Sequence, residues 1–233
     1  MRLQPRLAPA LLTLLLACLP ALTPALAQDK KAPNLNTTAT GTKGSVAQMA
    51  LAHELYALGL ARKDPVSVLA AAKLATAIEV KPVEQIKATS GTAIAGQTDG
   101  VNAPADAAAM IASARSLSGE DEVLAGLIED IMLEAARARA SGANATLSDL
   151  AAGQTDTWEV PFFGDSYAEI AVLGDGDANL DVLITDENGN TVCYDVGWSD
   201  RIFCDFVPAW NGYFTVTVQN NGARHNSYLL LTN

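Results

Sequence analysis

The chain has 233 residues, 49% of them hydrophobic and 18% charged, and a formal net charge of −11. An acidic balance of this size argues against nucleic acid and against an anionic membrane surface as partners, because both need clustered Lys and Arg. Without a leader, the length leaves room for one or two small domains.

Residues 1–27 have the form of an export signal. Arg2 and Arg6 give a basic start, Leu7 to Ala17 is apolar, and Ala25-Leu26-Ala27 fits the small-x-small rule. The mature chain is then expected to begin at Gln28. The alternative is a lipoprotein cut before Cys18, since Leu15-Leu16-Ala17-Cys18 resembles a lipobox. Against it, Leu19-Pro20-Ala21-Leu22 stays apolar where lipoproteins turn polar. No later stretch is apolar for about 20 residues, so no membrane span is expected. The location implied is exported, periplasmic or extracellular.

Residues 28–43 are polar without an apolar period and read as a disordered tether. A helical region, 44–152, follows. One helix is expected from Gly44 to Arg62-Lys63, with Val46, Met49, Ala50, Ala57 and Leu60 on one face. Asp64-Pro65 reads as an N-cap with proline at the first helical position, opening a second helix to about Glu79. A flexible loop is expected near 88–103. Pro104 and Asp106 start a third helix to about Ser116. Ser118 caps a fourth, running to about Ala140, with Asp121 three residues on. Four helices in two hairpins result.

After residue 152 the period becomes two. Leu180, Val182 and Ile184 alternate with Asp181, Leu183 and Thr185, and Phe214, Val216 and Val218 alternate with Tyr213, Thr215 and Thr217. Turn signals separate the runs at Glu187-Asn188-Gly189-Asn190, Trp210-Asn211-Gly212 and Asn220-Asn221-Gly222. All three Trp and all five Phe lie here, with 12 Asp/Glu against Arg201 and Arg224. The fold class expected is α+β: a small helical region of two hairpins, then an antiparallel, jelly-roll-like β-sandwich over 153–233. Residues 150–233 are expected to fold alone.

The residues from about 154 onward resemble a bacterial pre-peptidase C-terminal domain. The resemblance rests on Trp158-Glu159-Val160, the Gly-Asp-rich approach to Asn179-Leu180-Asp181-Val182, and the turn Asp186-Glu187-Asn188-Gly189. It continues in Gly212-Tyr213-Phe214-Thr215-Val216-Thr217-Val218 and the closing Tyr228 to Leu230. It implies a jelly-roll-like sandwich with an accessory or targeting role; some members are similar to collagen- or polysaccharide-binding modules, and some bind calcium. The helical part resembles no family, and no catalytic domain is evident in it.

Asp175, Asp177, Asn179 and Asp181 place oxygen side chains at every second position, a candidate Ca²⁺ site. Leu180 stands where an EF-hand has glycine and a strand follows, so the EF-hand reading fails. The bland reading is a solvated turn. Cys193 and Cys204, flanked by Tyr194 and Phe203, are expected to bridge in an oxidising compartment. Trp158, Trp198 and Trp210 are candidates for a stacking platform or for core. Trp198, in the polar loop between the cysteines, is the best ligand contact.

His53-Glu54 opens like a zincin helix, but residue 57 is Ala. His225 is isolated, and no Gly-x-Ser-x-Gly is present. The function expected is therefore non-enzymatic: an exported binding or accessory protein with a protein or polysaccharide ligand and no cofactor beyond a possible Ca²⁺. The alternatives are a secreted hydrolase using carboxylates and a periplasmic assembly factor docking through its helices.

Overall fold

In a computed structural model, residues 31–95, 103–135, 141–176 and 179–233 are described. The leader, its two cleavage readings and Asp177 lie outside them. In chain order the elements are α1 (Ser45–Arg62), α2 (Pro65–Thr76), β1 (Ile78–Pro82), β2 (Lys87–Ser90), α3 (Ala107–Ser118), α4 (Glu122–Ala135), β3 (Ser141–Leu150), β4 (Thr155–Phe162), β5 (Ala168–Gly174), β6 (Leu180–Thr185), β7 (Thr191–Asp195), β8 (Arg201–Phe206), β9 (Gly212–Asn220) and β10 (Asn226–Thr232).

The strands form two five-stranded sheets. Sheet A has the order β1-β3-β10-β5-β8 and sheet B the order β2-β4-β9-β6-β7. All neighbours are antiparallel except β1 and β3. The α+β class with a β-sandwich is thus present.

The alternation seen in the sequence decides which face meets which. Leu180, Val182 and Ile184 of β6 and Phe214, Val216 and Val218 of β9 point between the sheets, with Trp158, Tyr228 and Leu230. Phe162, Phe206 and Phe214 stack there with ring centroids 4.6–5.8 Å apart. Sheet A is covered on its other face as well. Ala171 and Leu173 of β5 and Leu231 of β10 pack against Val46, Met49, Ala72 and Met110 of the helices. Strands β5 and β10 are therefore almost continuously buried, the pattern of strands with two covered faces. A further apolar cluster, Val68, Leu69, Ala114, Ile128 and Ile131, holds α2, α3 and α4 together.

Local chemistry sets the helix starts. The Asp64 side chain accepts a hydrogen bond from Val66 N at 3.0 Å with Pro65 at the first helical position, as the sequence indicates. The Asp106 carboxylate accepts from Ala109 N at 2.7 Å. At α4 the cap is Asp121, not Ser118: its carboxylate accepts from Val123 N and Leu124 N. Helix α1 has no side-chain cap of its own. The buried Glu169 of β5 accepts from Gly44 N at 2.6 Å instead, tying α1 to sheet A.

Four expectations change. Helix α2 ends at Thr76, not Glu79, because Ile78 to Pro82 pairs in parallel with Ser141 to Ala145. Lys87 to Ser90, overlapping the start of the expected loop, pairs with β4. Ser141 to Leu150, in the segment expected to be helical, is β3, paired through seven positions with β10. Residues 31–43 are held down, not loose. Asn34, fully buried, donates from its backbone N to Asp186 and accepts from Trp210 N, and Leu35 packs on the core. Asparagine side chains here replace the ladder that a strand would provide. Residues 31–233 make one compact unit.

Cys193 of β7 and Cys204 of β8 form a disulfide, Cα–Cα 6.2 Å. Since β7 is an edge of sheet B and β8 an edge of sheet A, the bond staples the sandwich along one side. Reduction, or replacing both cysteines by serine, is expected to cost roughly 3 kcal/mol by the loop-closure argument. Urea melts with and without reductant check this; coincident curves contradict it.

Candidate functional site

Antiparallel connections alternate between the two ends of a sandwich. The β5–β6 loop (175–179), the β7–β8 loop (196–200), the β3–β4 loop and the β9–β10 loop share one end. The fold thus carries the acidic run and the Trp198 loop to the same place, although they are read from separate motifs.

The two loops are in direct contact. Gly176 N donates to Asp200 Oδ2 at 2.5 Å, and Gly174 N donates to the Asp200 carbonyl at 2.8 Å. A Cβ on Gly174 would lie 2.4 Å from Asp200 Oδ2, so only glycine permits this approach. Gly176 has φ +97°, a second position where glycine is required. Asp200 is 5% exposed, and the Arg201 guanidinium lies 3.6 Å from it.

Around them the acids are in use. Asp175 Oδ2 accepts from Ser227 N at 3.0 Å. Asp181 accepts from Asn221 Nδ2 at 2.5 Å and from Asn179 Nδ2 at 3.4 Å. Asp195 accepts from Gly197 N at 2.8 Å, closing the turn before Trp198. Asn179 Oδ1 is buried with no hydrogen-bond partner among the described residues. One orphaned amide oxygen beside a carboxylate suits a hard cation. Among the described residues no three His, Cys, Asp or Glu side chains converge as a metal would need.

Trp198 is 99% exposed, with Val196 at 67% and Tyr194 at 68%. Tyr194 stands opposite Leu183 on the outer face of sheet B, where both are exposed. The disulfide at Cys193 anchors the loop's entry. The shared platform of three tryptophans does not form. Trp158 alternates inward and donates from Nε1 to Tyr228 Oη at 2.8 Å in the core. Trp210 sits at the other end, with Nε1 on Glu187.

A second constellation escaped sequence reasoning. Asp156, fully buried, accepts from Tyr228 Oη (2.7 Å), Ser148 Oγ (2.8 Å), Thr89 Oγ1 (2.5 Å) and Lys87 Nζ (3.1 Å). Lys87 Nζ also lies 2.8 Å from Ser148 Oγ and sits over the Trp158 ring. A Ser–Lys pair serves catalysis when the lysine is a free base. Here Asp156 keeps the ammonium paired, so the cluster binds β2, β3, β4 and β10 together. Burial first, then the Asp156 charge, pushes the Tyr228 phenol well above its ordinary range. His53 is 4% exposed in α1 and belongs to neither constellation.

No family model matches the chain, and no curated protein matches it. Among solved structures it is similar to the pre-peptidase C-terminal domain of a collagenase from Bacillus anthracis. The identity is 12% and the TM-score 0.26, over 66% of this chain and 95% of that one. That likeness does not bear on function. Among the described residues no helix is long and apolar enough to cross a membrane.

Proposed function

We propose that this is an exported accessory protein that binds a protein or polysaccharide ligand at the sandwich end carrying Trp198. The observation that carries the reading is a fully exposed indole on a disulfide-anchored loop, with Val196 and Tyr194 exposed just before it in the chain and Leu183 opposite Tyr194. A single exposed apolar residue needs no explanation, but four on one strand pair and the loop after it do. Aromatic rings beside carboxylate and amide oxygens offer stacking plus hydrogen-bond acceptors, a combination that favours a hydroxyl-rich polysaccharide. The structural disulfide fits an oxidising compartment. Resemblance of the C-terminal strand motifs to pre-peptidase C-terminal domains adds the accessory role.

The test is co-sedimentation of residues 31–233 with chitin, peptidoglycan and collagen fibrils, native against Trp198→Ala. Binding to one of them is expected, with a loss of about tenfold, or ~1.4 kcal/mol, in the variant. Equal binding by the variant contradicts the proposal, as does no binding to any of the three.

Calcium at Asp175, Asp177, Asn179 and Asp181 belongs to the same proposal, as an ion that orders the loop touching Asp200. A higher Tm in millimolar Ca²⁺ is its expected outcome, and identical melts remove it. The assembly-factor alternative draws support from α4, whose Val123, Leu127 and Leu133 are exposed.

A further inference from the structure

Between the helical layer and the outer face of sheet A lies a cavity of about 760 Å³. Its floor is Met49, Ala75, Ile78 and Leu231, all buried; Leu147 and Met132 stand half exposed at its rim. The volume lies within the range of small-molecule sites, about 300–1,000 Å³.

Apolar lining alone would not name an occupant, but three polar side chains narrow it, of which Thr76 is engaged with the Lys73 carbonyl. Asp106 is already engaged as the cap of α3 through Ala109 N. His53, 4% exposed, lines the cavity, and its imidazole makes no hydrogen bond among the described residues. Its ring nitrogens are not among the side-chain atoms buried without a partner, so they face the space of the cavity, where a ligand group can take the place of water. Burial, then the charge of Arg201, lowers the His53 pKa to about 4. Near neutral pH the ring is therefore uncharged, with one N–H donor and one acceptor nitrogen. Asp106 opposes an anionic head and the Arg201 charge felt at His53 opposes a cationic one, whereas a hydroxyl can both give and take a hydrogen bond.

We propose that this cavity binds an uncharged aliphatic small molecule of the medium-chain alcohol class, its hydroxyl meeting the His53 imidazole. The site is separate from the Trp198 end and does not depend on it.

The probe for the test is N-phenyl-1-naphthylamine, uncharged and fluorescent in apolar surroundings, added to residues 31–233. Micromolar binding is expected. 1-Decanol should displace it at least about tenfold better than decanoate or decyltrimethylammonium, since a lost hydrogen bond or an unpaired charge costs that much. Ala108→Trp, at an exposed lining position, should block the probe. His53→Phe should keep the probe and erase the preference for the alcohol, and His53→Gln should restore it. Absence of probe binding, full binding by Ala108→Trp, or an unchanged alcohol preference in His53→Phe would each overturn the proposal. Should His53→Phe not fold, the Ala108→Trp and head-group comparisons decide alone.

Discussion

Replacing Asp156 by alanine is expected to cost roughly 3 kcal/mol of stability, a large share of the ~5–15 kcal/mol typical of a folded domain. Asp156 is the shared acceptor for Lys87, Thr89, Ser148 and Tyr228. Its removal leaves a buried phenol, a buried hydroxyl and a largely covered ammonium without their carboxylate. The full cost of breaking a buried pair is tempered because the Lys87 side chain is 30% exposed and regains some water. Asp156→Asn should cost less, since one oxygen acceptor remains. Glu159→Ala, at an exposed position of the same strand, should stay within about 0.5 kcal/mol. Urea melts of the three variants check this; an Asp156→Ala melt coincident with that of Glu159→Ala contradicts it.

Residues 150–233 expressed alone are expected not to fold cooperatively, although the change of period after residue 152 suggests a separate domain. Cutting there removes β3 from between β1 and β10, and β2 from the edge of sheet B. It also strips the helices from Ala171, Leu173 and Leu231, each at most 1% exposed. Each leucine returned to water loses about 1.5–3 kcal/mol of burial. The cut separates Lys87, Thr89 and Ser148 from Asp156 as well. Near-UV circular dichroism and a urea melt of 150–233 against 31–233 distinguish the cases. A sharp transition in the short fragment, at the same urea concentration, contradicts the dependence of the sandwich on β1 to β3 and the helices.

The limits of sequence reading follow from the same geometry. Strands β6 and β9 were legible because one face is core and the other solvent, so Leu180 to Ile184 and Phe214 to Val218 alternate cleanly. Helix α1 was legible from its apolar face and the basic residues at its end. Strand β3 was not, because its Ala143 and Ala145 are small residues packed under helices, and small residues give no strong period. Strands β1 and β2 are short, and their partners lie about 60 to 70 residues away in the chain. The cysteine pair could be read from count and compartment. The meeting of Lys87, Ser148, Asp156 and Tyr228 could not, since only the strand order of both sheets brings those four positions together. Asp175 to Asp181 and Trp198 were each singled out from sequence; that they share one end required the topology.

Tryptophan fluorescence of residues 31–233 tests the functional proposal most directly, because the three indoles differ so much in exposure. Trp158 is 2% exposed, Trp210 41% and Trp198 99%. Acrylamide quenching is read in the native protein and in Trp198→Phe, with and without soluble fragments of whichever polymer sediments the protein. Ligand is expected to shift the native emission to the blue and to shield it from acrylamide, and Trp198→Phe should show neither change. Equal protection in Trp198→Phe, or saturating ligand with no change in native quenching, would place binding elsewhere and contradict the account.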